Sequence, residues 1–288
     1  MVNFAEVKEK EFKALVSLLD DSDYEVVKHV EAKILSLGDT VIPALEEEWE
    51  TNFNPIVQNR IEELIHTVQF GTLRNRLVAW KESDHQDLLE GLWILATYQY
   101  PDLEISELNE FLDGVYSEIE GQIDKEQNPY DQVKTLNSVL FGKMKFGPNT
   151  KNFHSPGNSM INMVVQTKKG NPISLCAVYL LVAIRLELPV YGVNLPNLFV
   201  LTYKSADTQF YINAFNRGLI FSRSDIENYV AQLNLNPLEQ FFEPCSNVDI
   251  IIRSLRNLIV SFEKLGDNEK VDEIKELMDS LSQDDLLA

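Results

Sequence analysis

The chain is poor in the residues that most often do chemistry. Its 288 residues include only two cysteines and four histidines. Cys176 and Cys245 match no zinc spacing, and His29, His66, His85 and His154 form no ligand pair, so no metal is expected. There is no phosphate-cradling glycine loop and no dinucleotide fingerprint, so no cofactor is expected either. Positive charge is also scarce. The 25 Lys and Arg against 45 Asp and Glu leave a formal net charge of −20. That argues against nucleic acid as a partner, because phosphate backbones need clustered basic side chains. No apolar run approaches the roughly 20 residues that span a bilayer, which argues against a membrane partner. The opening MVNFAEVKEKEF lacks the basic-then-apolar layout of a secretory leader, so the expected location is cytoplasmic. The sequence carries no signature of an oligomeric state.

The charge imbalance is concentrated in one stretch. From Glu82 to Asp124 there is no Lys or Arg, and there are twelve acids. These read either as solvated helix faces or as a docking surface for a basic partner. The acids stand at helical spacing without a DxDxDG run, which excludes an EF-hand loop.

What is present is mostly helix. Apolar residues make up 44% of the chain and charged residues 24%, as in ordinary folded proteins. In the first 70 residues, Ser22 and Glu25 read as a capping box, followed by Val26, Val27, Val30, Ile34 and Leu37 at helical spacing. Gly38 reads as the stop of that helix. A short helix from Thr40 to Trp49 and a restart at Asn54-Pro55 follow. Such short helices joined by tight turns resemble HEAT-type repeats. Three helices are expected between 86 and 145, the second capped by Ser106 and the third opened by Asn128-Pro129. Two closing helices, Asp249 to Leu265 and Asn268 to Leu281, meet at Gly266 and resemble a tetratricopeptide-type hairpin.

The densest pattern lies between Lys168 and Asn216. A Gly/Pro turn leads into a long apolar helix, started by Ser174 or by Pro172. Strands are expected at Val190–Val193, Leu198–Tyr203 and Gln209–Ile212, the last two as a hairpin across KSADT. From about residue 86 to 281 the chain resembles the SirB-type branch of the transglutaminase-like superfamily. The resemblance is carried by Pro156–Ser159 (PxNS), Gly170–Leu175 (GNPISL), Leu186–Pro196 (LxLPVxGVxLP) and Tyr211–Gly218 (YINAFNRG). It implies an α+β, mostly helical fold: a papain-like core with a small antiparallel sheet, flanked by helical repeats. Three segments follow, 1–72, 73–245 and 246–288.

The resemblance also implies a degenerate catalytic triad. The family's nucleophile would lie near Pro172 to Ser174, its His at Leu198 and its orienting Asp at Asn213. Leucine cannot move a proton, and general-base help is worth roughly 10²–10⁴-fold. Cys176, in the first turn of the long helix, is the alternative nucleophile, although its neighbours Leu175, Ala177 and Val178 make it read as a core residue. His154 is the loop residue available as a base. The asparagines Asn158, Asn171, Asn197, Asn213 and Asn216 read either as turn-fixing amides or as the lining of a cleft that pairs with peptide amides. The expected function is therefore non-catalytic binding of a protein or peptide. The alternative is a cysteine or serine hydrolase or acyl transferase using Cys176 or Ser174.

Overall fold

In a computed structural model the described residues are 9–123 and 126–282. Residues 1–8, which carry the leader reading, Asp124 at the end of the acidic stretch, and residues 283–288 lie outside them. The chain divides into two compact units, 1–76 and 77–288.

The first unit contains α1 (Glu9–Val16), α2 (Tyr24–Leu35), α3 (Ile42–Thr51) and most of α4 (Pro55–Glu82). Its core is built from Phe12, Leu19, Val30, Ile34, Leu45 and Ile61, among others. Two local expectations shift. The cap of α2 is Asp23, whose carboxylate accepts the Glu25 N–H at 2.9 Å, so Ser22 lies one residue too early. Gly38 does not stop α2, which ends at Leu35; it opens a 3-10 turn to Val41.

The second unit begins with the end of α4 and continues through α5 (Leu88–Ala96), α6 (Ile105–Ile119) and α7 (Pro129–Asn137). Asn128 caps α7 as expected. The cap of α6 is Glu104, boxed with Glu107, and Ser106 is already inside the helix. A two-residue parallel pair, β1 (Gly147–Pro148) with β2 (Lys169–Gly170), brackets α8 (Ile161–Thr167). Then comes α9 (Pro172–Arg185), buried without a break from Ile173 to Ala183. A helix apolar on every side belongs inside a core, and this one is the spine of the unit.

The sheet follows as β3 (Val190–Leu195), β4 (Leu198–Lys204), β5 (Gln209–Asn213) and β6 (Leu219–Phe221), antiparallel and in sequential order. The β3–β4 turn is Pro196-Asn197, with Asn197 at φ +59°, the left-handed backbone that a second corner residue adopts. One sheet face carries Val193, Leu195, Val200 and Tyr211 beneath Ile226 and Val230 of α10 (Arg223–Gln232). Helix α9 packs on β3 and β4 and contributes nothing to that cluster, so it covers the opposite face. The chain closes with α11 (Asn247–Leu265), which packs on α5, α9 and α12 (Asn268–Ser282). No helix among the described residues is long and apolar enough to cross a membrane.

Candidate functional site

The start of α9 is fixed by two reciprocal hydrogen bonds. The Asn171 side-chain carbonyl accepts the Ser174 N–H at 2.9 Å, and the Ser174 hydroxyl accepts the Asn171 N–H at 3.0 Å. The helix therefore starts at Pro172, with Asn171 as the cap and Ser174 as the third residue of the box. Pro172 fits because its missing N–H is one that a helix start leaves unpaired anyway. The free end of the Asn171 amide donates to the Ser159 hydroxyl at 2.9 Å. Ser174 also donates back to the Asn171 carbonyl, so its hydroxyl is saturated and buried. Gly170 is required here, because a Cβ at this position would lie 2.4 Å from the Ser174 oxygen.

Asn158 holds the preceding loop. It accepts from Asn149 at 2.8 Å and donates to the carbonyls of Asn152 and Phe153 at 2.7 and 2.9 Å. Asn158 and Asn171 are both buried, and their amides are engaged inside the protein. By fixing the Phe153 carbonyl, Asn158 sets where Phe153 and His154 stand.

Phe153 and His154 face a cavity of about 160 Å³ at the mouth of α9. Pro172, Ile173, Asn197 and Phe199 line it from the helix and the sheet, and Arg253, Asn257, Val260 and Ser261 line it from α11. An imidazole thus stands at the helix mouth. The candidate nucleophiles do not face it. Cys176 has no exposed surface and lies behind the first turn, where its thiol donates to the Phe199 carbonyl at 3.7 Å. Burial pushes the Cys176 thiol far up from its ordinary value. No hydrogen bond joins His154 to Cys176 or Ser174 among the described residues. Cys245 is half-buried and also pushed up, to about 12, first by burial and then by the Asp249 carboxylate.

Leu198 and Asn213, the positions that the resemblance gives to the family's His and Asp, are elsewhere. Leu198 packs against the cluster under α10, on the sheet face turned away from α9. Its neighbour Phe199 points the other way and lines the cavity. Asn213 shares the Leu198 face by register and caps a local turn, accepting the Asn216 N–H at 3.0 Å. Asn216 and Arg217 are exposed beyond it, and neither lines the cavity. Of the five candidate binding asparagines, the fold therefore brings Asn171 and Asn197 to the cavity.

Sequence reading missed Arg253 and Asn257. They lie on α11, which was assigned to a separate terminal segment. A signal was present: Arg253 directly follows the run Ile250-Ile251-Ile252, within a helix whose buried stripe includes Leu255 and Leu258. Arg253 donates to the Asn194 side chain at 3.2 Å and to the Leu195 carbonyl at 3.5 Å.

Several acids of the 82–124 stretch have structural work. Asp87 caps α5, Glu104 and Glu107 cap α6, Asp113 pairs with Arg185, and Glu118 pairs with Lys143.

Residues 106–256, just over half of the chain, match the transglutaminase-like superfamily. The chain belongs to that superfamily. It is 25% identical over 177 residues to a UPF0162 protein of Xylella fastidiosa, covering 59% of this chain and 63% of that protein. It is 23% identical over 151 residues to a UPF0162 protein of Vibrio cholerae, covering 52% and 56%. F-box only protein 21 of Mus musculus is 27% identical over 158 residues, which cover 52% of this chain and 24% of that protein. The chain thus spans less than two thirds of the length of each of these relatives. No solved structure matches it significantly.

Proposed function

We propose that this transglutaminase-like protein is non-catalytic and binds a peptide segment of a partner protein at the α9 cavity. One observation carries the reading: neither candidate nucleophile, Ser174 nor Cys176, faces the cavity, and the hydroxyl that does line it, Ser261, donates to the Asn257 carbonyl of its own helix. An acyl-transfer nucleophile needs a base within hydrogen-bond reach and a path to the substrate carbonyl. Ser174 is locked in a helix cap, and Cys176 is sealed behind it. Leu198 offers no proton acceptor and packs on the far face. The finer assignments belong to the same proposal: the SirB-type branch, a HEAT-like segment before the core, a tetratricopeptide-like hairpin after it, and a cytoplasmic location. The acids of α5 and α6 that have no structural work are the ones left for a basic partner surface.

A second reading rests on His154 at the helix mouth. In it His154 serves as base for Ser174 or Cys176 in a hydrolase or acyl transferase, after the first turn of α9 rearranges. Alkylation of Cys176 in native protein between pH 5 and 9 separates the two readings. Labelling that waits for denaturation supports the binder. Fast labelling with a midpoint well below pH 8 supports the enzyme and overturns the proposal.

A further inference from the structure

We infer that the α9 cavity receives the free carboxylate at the C-terminus of a peptide chain whose last side chain is apolar. This deepens the peptide-binding reading and rests on it.

The charge of the lining is the first argument. The chain carries 45 acids against 25 Lys and Arg, yet no acid lines this cavity. The polar side chains facing it include Arg253, His154, Asn197 and Asn257. Arg253 is half-buried and has no carboxylate partner among the described residues, whereas Arg185 has Asp113, and Arg223 has Glu227 and Glu239. A guanidinium carries five donors, and the bonds of Arg253 to Asn194 and Leu195 leave most of its fork unused. Burial and the nearby Arg256 lower its pKa, the mark of a cation short of compensation. Among the described residues, the side chains of Asn197 and Asn257 and the ring nitrogens of His154 make no hydrogen bond.

The shape of the lining is the second argument. At about 160 Å³ the cavity is small beside the roughly 300–1,000 Å³ of clefts that enclose whole ligands. It suits a chain end. Phe153 and Val260 stand exposed at its rim, with Ile173 and Phe199 deeper, so one wall is apolar. A phosphate site at a helix start would use several backbone N–H donors. Here Pro172 has none and the Ser174 N–H is already taken by Asn171, which leaves the Ile173 N–H as one backbone donor rather than several. That donor and a side-chain fork beside an apolar wall fit a carboxylate with its side chain.

The test uses the full chain, labelled with ¹⁵N, and three probes: N-acetyl-leucine, N-acetyl-leucinamide and inorganic phosphate. N-acetyl-leucine is expected to shift the side-chain signals of Asn197, Asn257 and Arg253 in a saturable way. The amide should bind at least about tenfold more weakly, and so should the acid to Arg253→Met. If Arg253→Met fails to fold, Arg253→Lys and Asn257→Ala replace it, each expected to weaken the acid several-fold. Equal binding of acid and amide, phosphate binding as tightly at the same residues, or no saturable shift there would each overturn the carboxylate site while leaving the peptide-binding reading intact. Conversion of the amide into N-acetyl-leucine and ammonia, with water attacking the carbonyl and the C–N bond breaking, would overturn the non-catalytic reading itself.

Discussion

The first turn of α9 separates two regions only a few atoms apart. Behind it the side chains of Ser174, Asn171 and Asn158 are hydrogen-bonded, Cys176 is dry, and the buried Tyr179 hydroxyl is the exception without a partner among the described residues. In front of it the side chains of His154, Asn197 and Asn257 have no hydrogen-bond partner among the described residues, and Arg253 is underused. A working hydrolase of this general design puts its nucleophile in the front region, where base and substrate meet. Here the fold has kept the scaffold of the turn and placed every candidate nucleophile at the back. On the proposed reading the back region is sealed scaffold and the front region is where a ligand binds.

If that division is right, substitutions behind the turn should cost stability, and those in front should not. The largest effect is expected for Asn158→Ala. It removes three hydrogen bonds centred on the buried Asn158 amide, although their Asn152 and Phe153 ends lie in an exposed loop where water can replace the lost partner, so the urea-unfolding free energy should fall by roughly 1–3 kcal/mol. A loss below about 0.5 kcal/mol would mean that the back region is not sealed.

The two cysteines sharpen the comparison through pH. The Cys245 thiol is raised to about 12, so its thiolate fraction grows tenfold per pH unit across the neutral range. Its alkylation rate should therefore rise about a hundredfold from pH 7 to pH 9 without a plateau. Cys176, raised further by full burial, should stay unlabelled throughout that range. A plateau below pH 8 at either thiol would indicate an activated nucleophile. Next in size is Gly170→Ala. Its methyl group would meet the Ser174 oxygen and Val164, at a cost of roughly 1–2 kcal/mol measured by thermal melting.

How much of this was legible follows from where the signals lie in the sequence. The span of α9 stood out because its apolar residues run unbroken, and the β4–β5 hairpin stood out because KSADT is turn chemistry between two apolar strands. Strand β6 and helix α10 were not read. Strand β6 is three residues long, and α10 buries only Ile226 and Val230, too few to mark a period. The box of Ser222 with Asp225 was the available signal for α10. The site was legible only on its near side. Asn171 lies within GNPISL and Asn197 directly follows LxLPVxGVxLP, the motifs that carry the family resemblance, while Arg253 and Asn257 come from a helix that begins only at Asn247. Sequence spacing cannot show that α11 packs on α9; that contact is made by tertiary burial of its Ile251 and Leu255 stripe.

The smallest expected effect is the one that tests the front region most directly. Asn257 lies on the cavity side of α11, and its side chain makes no hydrogen bond among the described residues. Alanine favours helix slightly more than asparagine does, by a few tenths of a kcal/mol. Asn257→Ala should therefore melt within about 0.5 kcal/mol of the parent, or slightly above it. The same substitution at a saturated position behind the turn should be costly, so the pair Asn257→Ala and Asn158→Ala reads the division as a difference of stabilities. If Asn257→Ala destabilised the chain as much as Asn158→Ala, the amide would belong to the scaffold, and the front of α9 would hold no free donor for a ligand.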